Sequence, residues 1–572
     1  MRSRDPALAA WSAVLAFVIL GPLAVGGRYL LLRDAVSTPR SHLTDTALGL
    51  GDNAARATPQ DWVLALGSQV VDGGLLVTGL LFVALVAAGW GFGRCALAVL
   101  DAVGRPAGLG AGLAAATVGL WNPFVAERLL QGHWSLLAGY AAIGWAVVVG
   151  LRLRGRRQLG GFALCLAAGG LTPTGAVLAL IAGLVAAPRR WAWQLGLFVC
   201  AAAPWLYPSL VSGSGVRADP ASVAVFAARA EPGLGTLGSL LGLGGIWNRQ
   251  AVPDGAPWLW TAFALVLLGG GLLALRARVL SPPLGRLALL GACAVVLPAL
   301  AATGPGTALL EVVVQAVPGS GLLRDGQKWV ALAVPLFATC AAALVAAVPS
   351  AARPAGAIVA VALPVAVLPG LAWGVGGALA PVTYPDAWRT VADAVPADRG
   401  SVAVLPPGMF RTYAYGPDAS VLDPAPRMLR ASVLQTGELR VGSRSIDRVP
   451  GVASDAEAAL AADGDTLAPR LAELGVGWVL VEAVSDGGET VFPTVPLPGL
   501  SLAVDTPELR LYRVPGEIAT ASATRGERAG AWAAHLLWAV LLLGGATVAA
   551  TRRRGASAPG DGAGGATEPA RR

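Results

Sequence analysis

The chain has 572 residues, of which 55% are hydrophobic and only 13% are charged, and its mean hydropathy is +0.64. Soluble domains typically carry about 25% charged residues, so this composition excludes an ordinary soluble protein and indicates a membrane protein with many spans. The net charge of +8 comes from 41 arginines and a single lysine, Lys328, against 34 acidic residues.

The apolar runs are the predicted membrane spans. A hydrocarbon core about 30 Å thick requires about 20 apolar residues per helix. The first run lacks a convincing cleavage site, so we interpret it as a retained helix and not as a signal peptide. Segment 158–187 contains "GGLTPTG", which is either a turn between two short helices or a proline kink in one long helix. With two helices there, the pattern predicts twelve spans, at 7–27, 73–93, 107–121, 134–151, 158–170, 172–187, 191–210, 256–275, 287–303, 329–349, 356–378 and 530–550.

The arginines divide the loops into two classes. One set of loops, with both termini, holds 19 arginines and four acidic residues, whereas the other holds 22 arginines, Lys328 and 30 acidic residues. Cytoplasmic loops of membrane proteins carry the excess of Lys and Arg. Both termini are therefore predicted to be cytoplasmic, in a multi-pass protein of the plasma membrane. The pI of 9.7 follows from this topology and indicates no nucleic-acid partner.

The remaining loops are predicted to be extracytoplasmic, and the longest of them forms a domain. Its strand-like runs, such as "GWVLVEAV", alternate with helical stretches, such as "PDAWRTVADAV", which predicts a small α/β fold. Its segment "LSLAVDTPELRLYRV" predicts two strands around a "DTPE" turn. The predicted organisation is a membrane module of about eleven spans at 1–378 with its first outer loop at 28–72, an extracytoplasmic α/β domain at 379–529, a last helix at 530–550, and a disordered cytoplasmic tail at 551–572.

Ionisable and metal-binding residues are scarce in the predicted spans. The five cysteines form no CxxC pair, and the three histidines are far apart in sequence, so no transition-metal site is indicated. No Asp, Glu, Lys or Arg lies inside a predicted span. Ion-coupled transporters need such groups within the membrane, so the pattern disfavours coupled transport and directs attention to the outer surface.

Asp34 follows the first span directly, at the level of the lipid headgroups. A carboxylate at that depth can take a proton from a hydroxyl presented at the membrane surface. The alternative is that Asp34 pairs with Arg33 or Arg40 and only orders the loop. Two other acidic residues of this loop fit structural roles: Asp61 faces the dipole of a short helix, and Asp72 caps the second span.

Two outer loops contain a Trp-Asn pair close to charged residues. The motif "WNPFVAERLLQGHW" contains Asn122, Glu127 and Arg128, and "GGIWNRQ" contains Asn248 and Arg249. Tryptophan at a span end is often only an interfacial anchor, and Asn-Pro is often only a turn. The polar residues around both pairs exceed what anchoring requires, so we predict that they contribute to a cleft.

The lone lysine lies in "LLRDGQKWVALAVPL", after Arg324 and Asp325. Arg324 and Lys328 are four residues apart and share a helix face if the tenth span begins early. Two cations at the outer interface can bind a phosphate, Lys as a point charge and Arg as a fork. The alternative is a pair of interfacial cations that extend toward the headgroups.

These segments resemble one family of membrane enzymes. "LLRDGQKWVALAVPL" is similar to an Arg-x-x-x-Lys-aromatic segment of actinobacterial cell-wall arabinofuranosyltransferases, and "WNPFVAERLLQGHW" resembles the Asn-Pro-Phe loop of related envelope glycosyltransferases. Both belong to the GT-C superfamily, whose layout of spans and outer domain resembles this one over residues 1–380. The lysine-poor, Ala/Gly/Arg/Val-rich composition fits an actinobacterium.

The resemblance implies a glycosyltransferase that moves an arabinofuranose or mannose unit from a polyprenyl-phosphate donor to an envelope glycan or glycolipid. It implies that Asp34 is the general base and that Arg324 and Lys328 bind the donor phosphate. The residues expected to line the cleft or bind substrate are Asn122, Glu127, Arg128, Asn248, Arg249 and Asp325. The outer domain would guide the acceptor, for which "FRTYAYGP" at 410–417 is a candidate. No cofactor is firmly indicated, and no motif supports a divalent cation.

Two other functions remain open from the sequence. A flippase or uncoupled transporter of lipid-linked precursors would use the same phosphate site, but it should also show a polar path to the cytoplasm, which the sequence does not reveal. A catalytically inactive scaffold of the same fold would tolerate the loss of Asp34.

Overall fold

The structure is a computed structural model that describes residues 5–25, 28–51, 57–153, 155–211, 218–442, 444–462, 464, 466–486, 489–519 and 523–551. Except for Thr551, the predicted tail lies outside the described residues, as do both chain ends. The first part of the chain is helical. Its helices are α1 (Asp5–Val25), α2 (Gln60–Gly67), α3 (Gly73–Ala102), α4 (Leu109–Leu120), α5 (Pro123–Gln131), α6 (Trp134–Gly150), α7 (Arg156–Gly169), α8 (Pro173–Ala186), α9 (Trp191–Val211), α10 (Ala221–Val225), α11 (Gly235–Leu241), α12 (Pro257–Ala274), α13 (Pro282–Ala301), α14 (Gly304–Ala316), a 3-10 helix (Gly326–Ala333), α15 (Val334–Ala347), α16 (Arg353–Val367) and α17 (Ala372–Gly376).

Capping residues followed by proline set several helix starts. Asn122, Thr172 and Thr303 each accept a hydrogen bond from a backbone N–H of the first turn, and a proline occupies the first or second helical position of each helix. Proline is favoured there because its missing N–H would have no partner inside the helix. Asp72 likewise caps α3 by accepting from the backbone N–H groups of Gly74 and Leu75, which confirms its predicted structural role.

Nine helical segments of the described residues are long and apolar enough to cross a membrane, and α6 and α8 are shorter apolar helices. The chain is thus a multi-pass membrane protein, and the count of twelve spans stays a prediction. In segment 158–187 the structure has two helices, α7 and α8, with a break at 170–172. The predicted span at 356–378 is too long, because α16 ends at Val367 and Pro369 starts a separate turn. The predicted outer loop 304–328 contains α14.

The helical segments extend beyond the predicted spans and include ionisable residues. Arg94 lies in α3, and the continuous apolar segment Leu109–Gln131 includes Glu127 and Arg128. These charges have partners: Arg94 forms an ion pair of 3.1 Å with Asp5, and the partners of Arg128 are described below. Because paired charges are tolerated in apolar surroundings, counting charges in predicted spans is not an argument against transport here.

Helix α6 packs closely against two neighbours through glycine. A Cβ on Gly144 would lie 2.8 Å from the carbonyl carbon of Gly91 in α3, and a Cβ on Gly139 would overlap the Cα of Gly175 in α8. Small residues allow such backbone approach where the hydrophobic effect contributes little to helix association. The buried core of the membrane module runs continuously through these contacts.

Strands are concentrated in the second part of the chain. They are β1 (Leu31–Leu32) and β2 (Ala35–Val36) in the first loop, then β3 (Ser401–Leu405), β4 (Phe410–Arg411), β5 (Val421–Leu422), β6 (Leu439–Val441), β7 (Arg444–Ile446), β8 (Val476–Glu482), β9 (Val484–Asp486), β10 (Glu489–Val491), β11 (Ser501–Asp505) and β12 (Leu509–Arg513). The main sheet has the order β11-β12-β8-β3, in which β3 and β8 are parallel and the other pairs are antiparallel. The predicted pair of strands around "DTPE" is confirmed as β11 and β12.

Helices cover both faces of this sheet, as expected for an α/β unit. The helices of this part are α18 (Ala387–Ala394), α19 (Ala425–Met428), α20 (Val452–Ala461), α21 (Leu467–Glu473) and, after the sheet, α22 (Arg525–Ala550). Residues of α18 share one buried cluster with β3 and β8, and residues of α20 and α21 share the other. Every residue of β8 is buried, which is typical of a strand covered on both faces. Helix α22 begins five residues before the predicted last span, at a capping box of Thr524 and Glu527.

The first loop lies between the membrane helices and the sheet domain. Its residue Tyr29 pairs with Val382 through two backbone hydrogen bonds, and the Arg33 carbonyl accepts from Leu422 N–H of β5 at 2.7 Å. Asp61 accepts from the Arg427 guanidinium at 2.9 and 3.2 Å. Asp61 lies in the first turn of α2, as predicted, and it also forms an ion pair with Arg427 of the sheet domain.

Candidate functional site

Asp34 lies at the turn of the short β1–β2 hairpin, next to the turn that joins α5 to α6. Arg33 takes a left-handed conformation (φ 48°), which closes the two-residue turn. Gly132, also left-handed (φ 85°), faces the hairpin so closely that a Cβ there would overlap the backbone of Leu32 and Ala35. The Asp34 N–H donates to the Gln131 carbonyl at 3.1 Å. The backbone therefore holds Asp34 against the end of α5.

Two side chains hold the Asp34 carboxylate by one oxygen. Oδ2 accepts from Gln131 Nε2 at 2.9 Å and lies 3.0 Å from His133 Nε2. The Asp34 side chain remains 31% exposed, and within the described residues Oδ1 accepts no hydrogen bond. The carboxylate is thus fixed in orientation through Oδ2 while part of the side chain stays exposed.

Arg33 is not the partner of Asp34. Its guanidinium donates to the carbonyls of Leu130 and Gln250, both at 2.6 Å. The alternative in which Asp34 pairs with Arg33 is therefore wrong in this structure, because the turn points the two side chains to different neighbours.

Arg128 is the centre of a buried network below Asp34. Its side chain is fully buried, and it donates to the two oxygens of Asp325 at 2.6 and 3.0 Å and to Gln327 Oε1. Its NH1 also lies 2.9 Å from His133 Nδ1. His133 therefore connects the exposed carboxylate of Asp34 to the buried guanidinium.

The charge of Arg128 controls the ionisation of Asp325, which lies just before the 3-10 helix. Burial alone raises the pKa of this carboxyl, but the adjacent guanidinium, through its charge and two hydrogen bonds, lowers the pKa to about 2, and the charge of Lys328 adds to the effect. Asp325 is thus a permanent anion at neutral pH, so Arg128 and Asp325 form a fixed buried ion pair.

Glu127 belongs to the same buried network but faces a different loop. It accepts from the backbone N–H groups of Gly245 and Ile246, both at 3.1 Å, and from Gln327 Nε2 at 2.9 Å. The neighbouring Asn248 donates to Gln131 Oε1 at 2.8 Å. The loop that contains Asn248 is therefore tied to α5 beside Asp34.

Two of the predicted cleft residues lie away from this contact. Asn122 is fully buried, where it caps α5 and donates to the Tyr140 hydroxyl and the Val118 carbonyl. Arg249 is exposed at the start of a 3-10 turn. The structure thus brings together Asp34, Glu127, Arg128, Asn248 and Asp325, and it places Asn122 inside the helix packing and Arg249 at the surface.

Arg324 and Lys328 do not share a helix face. Arg324 ends one 3-10 turn, and the next begins only at Gly326, so the α-helical spacing assumed for the pair is absent. Arg324 donates to Asp447 of the outer domain at 2.6 and 2.9 Å and to Ser222 at 2.7 Å, and it stacks over Phe226. Lys328 is 9% exposed, with its ammonium 6.0 Å from the centre of the Trp329 ring.

A small apolar cavity adjoins Arg324, and another adjoins Glu127. The first holds about 10 Å³ and is lined by Val223, Pro298 and Leu310 among others, with Arg324 as its one charged residue. The second holds about 30 Å³ and is lined by Glu127 and Glu231. Among the described residues, no group of three or more His, Cys, Asp or Glu side chains is placed to bind a metal ion.

Three site residues were missed by the sequence reasoning: His133, Gln131 and Gln327. All three are polar residues inside the two quoted motifs, "WNPFVAERLLQGHW" and "LLRDGQKWVALAVPL". His133 was not predicted as a site residue because an isolated histidine is more often structural than a ligand. The signal that could have found it is its position five residues after Arg128, across the glycine that ends α5.

Comparison with known proteins gives a fold but no family. No protein-family model and no curated protein matches the chain. A cryo-EM structure of the arabinofuranosyltransferase AftD from mycobacteria matches with a TM-score of 0.57 and 19% identity, over 90% of this chain and 40% of that one. A mutant of that enzyme, in its second structural class, matches with a TM-score of 0.53 and 19% identity, over 91% and 42%.

The likeness to AftD is one of fold. At 19% identity it shows a shared fold, and this chain spans about two fifths of the AftD chains that it matches. Since nine tenths of this chain is covered, the matched portion includes parts of both the membrane helices and the sheet domain.

Proposed function

We propose that the chain is a membrane glycosyltransferase that moves a sugar of the arabinofuranose or mannose class from a polyprenyl-phosphate donor to a cell-envelope glycan or glycolipid. The observation that carries the proposal is the geometry of Asp34: a partly exposed carboxylate, held by two N–H donors on Oδ2 and open at Oδ1. The fold shared with AftD supports it independently.

In the proposed reaction Asp34 Oδ1 accepts the proton of an acceptor hydroxyl while the hydroxyl oxygen attacks the anomeric carbon of the donor. The bond from that carbon to the phosphate oxygen breaks, and the lipid phosphate leaves with the electron pair. General-base assistance of this kind contributes typically 10²–10⁴-fold to a rate. The fixed orientation of Asp34 supplies the positioning that such a transfer requires.

Arg324 and Lys328 are the proposed binding residues for the donor phosphate, although they lie in separate turns. Charged donors placed where negative charge develops stabilise a leaving group. In the present conformation Arg324 is bonded to Asp447, so a phosphate would join or replace that carboxylate. Asn248 and Arg249 are proposed to contact the substrate. The buried residues Asn122, Glu127, Arg128 and Asp325 are proposed to shape the cleft from behind.

The proposed setting is the outer face of the plasma membrane. The arginine distribution supports cytoplasmic termini, and with the eleven predicted spans before it, an odd number, the sheet domain lies outside. A donor presented in the outer leaflet would reach Asp34 from the membrane side. The acceptor would approach along the sheet domain, whose segment 410–417 is proposed to guide it.

The test uses purified full-length protein in nanodiscs with radiolabelled polyprenyl-phosphate arabinose or mannose and an envelope-glycan extract. We expect Asp34→Asn to lower transfer by at least about 100-fold, and Lys328→Ala to weaken binding of the lipid phosphate. Asp101→Asn, which changes an exposed carboxylate at the end of α3, is the matched control and should transfer normally.

Transfer that survives Asp34→Asn would remove Asp34 as the base. Absence of transfer from either donor by the wild-type protein, with lipid binding intact, would contradict the proposed activity and favour a flippase or a scaffold.

A further inference from the structure

Among the described residues, His133 is the side chain that contacts both Asp34 and Arg128. We propose that it is a positioning residue: its Nε2–H holds the Asp34 carboxylate, and Arg128 fixes which ring nitrogen carries the proton. The catalytic meaning of this arrangement rests on the proposed function, whereas the proton position does not.

The proton position follows from the chemistry of arginine. A guanidinium has only N–H donors and no acceptor. Because Arg128 NH1 lies 2.9 Å from His133 Nδ1, Nδ1 must be the acceptor, so it carries no proton. The neutral ring then has its proton on Nε2, which lies 3.0 Å from Asp34 Oδ2. Both ring nitrogens are therefore satisfied in only one neutral tautomer.

The other partners of Arg128 keep its guanidinium in place against the His133 ring. Its NH1 and NH2 are also bonded to Asp325 and to Gln327, and the side chain is fully buried. A second proton on His133 would require Nδ1 to lose the bond from Arg128 and would place two cations in contact. The ion pair of Arg128 and Asp325 thus determines that His133 Nε2–H is the donor to Asp34.

Other charged groups near the ring have different partners or act at longer range. From the hairpin, Arg33 is turned toward the carbonyls of Leu130 and Gln250. From α5, Glu127 is bonded to the loop at 245–246. Before α15, Asp325 faces Arg128, and Lys328 acts on Asp325 electrostatically. The direct contacts of the imidazole are therefore Asp34 on one nitrogen and Arg128 on the other.

Two conservative substitutions separate the contacts of the ring. In His133→Gln the amide nitrogen can occupy the place of Nε2 and donate to Asp34, while the bond from Arg128 is lost. In His133→Asn the shorter side chain can offer its oxygen in place of Nδ1 to Arg128, while the donor to Asp34 is lost. The pair is matched because each variant keeps one contact and loses the other.

We expect His133→Gln to keep kcat/KM within about threefold of wild type, because Asp34 keeps its donor. We expect His133→Asn to lose about tenfold in kcat, because the carboxylate loses a hydrogen bond that fixes its orientation. Equal losses in both variants would overturn the positioning role and leave a structural one.

A second measurement does not depend on activity. The chain contains only three histidines, His42, His133 and His535, so ¹⁵N-histidine labelling gives three ring spectra, and His133→Gln identifies the one that belongs to His133. We expect the Nε2–H tautomer at neutral pH in wild type. An Nδ1–H tautomer or a doubly protonated ring would overturn the proposal. Absence of transfer with the expected tautomer would instead contradict the proposed function alone.

Discussion

The membrane helices and the sheet domain each contain a deeply buried arginine that contacts carboxylates, and the charges around the two arginines differ. Arg128 is fully buried beside Asp325, whose pKa is also lowered by the charge of Lys328. Arg411 is 2% exposed and lies 3.2 Å from Glu482 and 3.8 Å from Asp423, both of which are buried. The first carboxylate is flanked by two cations, whereas in the second cluster two carboxylates share one.

This difference sets the pKa of the carboxylate that contacts each arginine. The cations lower the pKa of Asp325 to about 2. In the outer domain, burial and the adjacent Asp423 raise the pKa of Glu482 to about 8. Glu482 Oε1 is buried without a donor among the described residues, and a proton on it can donate to Asp423. The comparison teaches that a buried arginine fixes one carboxylate as an anion, and a second carboxylate must hold a proton.

The largest effect is expected from breaking the fixed pair. Arg128→Met leaves Asp325 buried without its main partner, and breaking a buried pair in this way costs about 3–5 kcal/mol. We expect a lower free energy of unfolding by that amount, measured by thermal or denaturant unfolding in nanodiscs, together with loss of transfer. Arg249→Met, at an exposed arginine, should stay within about 0.5 kcal/mol. A stable Arg128→Met protein would show that the pair is not tightly coupled to the fold.

The next effect tests the shared proton. The folded-state pKa of Glu482 lies above its ordinary value of 4.5. The stability that the protonated carboxyl gives to the folded state is therefore fully present below about pH 4.5 and is lost as the pH rises toward 8. Within that window the loss approaches about 1.4 kcal/mol per pH unit. Glu482→Gln carries N–H donors at every pH, so it should make outer-domain unfolding less dependent on pH. We would measure melting temperatures of the full-length protein from pH 5 to 8.5.

An unchanged pH dependence in Glu482→Gln would show that Glu482 does not hold the proton. Asp505→Asn is the matched control, because Asp505 pairs with Arg510 at the surface of the same sheet. It should leave the pH dependence as in wild type.

The smallest effect concerns the link between the two regions. Asp61 of the first loop bonds Arg427 of the outer domain, and the two side chains are 21% and 8% exposed. We expect Asp61→Asn to lower the free energy of unfolding by about 1 kcal/mol, measured by denaturant unfolding of the full-length protein. Asp386→Asn changes a carboxylate whose pair with Arg389 is largely exposed, and it should change nothing measurable. Equal effects would mean that the link adds no stability beyond an ordinary surface pair.

Patterns that depend on neighbouring residues could be predicted from the sequence. Apolar runs predicted most helices of the membrane module, and the position of Asp72 predicted a helix cap. The alternation around "DTPE" predicted β11 and β12. Each of these depends on a few adjacent residues. Span ends were less accurate where glycine and proline interrupt an apolar run, as at Val367 and in α14, because composition alone does not show whether the helix continues.

Contacts between distant segments could not be predicted. Arg128 and Asp325 are 197 residues apart, and nothing in either motif indicates that they meet. The shared helix face of Arg324 and Lys328 failed for a local reason, since the chain there forms 3-10 turns and not an α-helix. His133 was missed because its importance comes from two partners, Asp34 and Arg128, that only the folded chain brings to its ring.

The burial of Lys328 offers a practical way to observe the site. It is the only lysine among 572 residues, so an amine-reactive reagent has one side-chain target in this chain. At 9% exposure the ammonium should react slowly, and any anion that occupies it should slow the reaction further. Chemical footprinting of this one position, read by mass spectrometry, therefore reports occupancy of the proposed phosphate site without an engineered label.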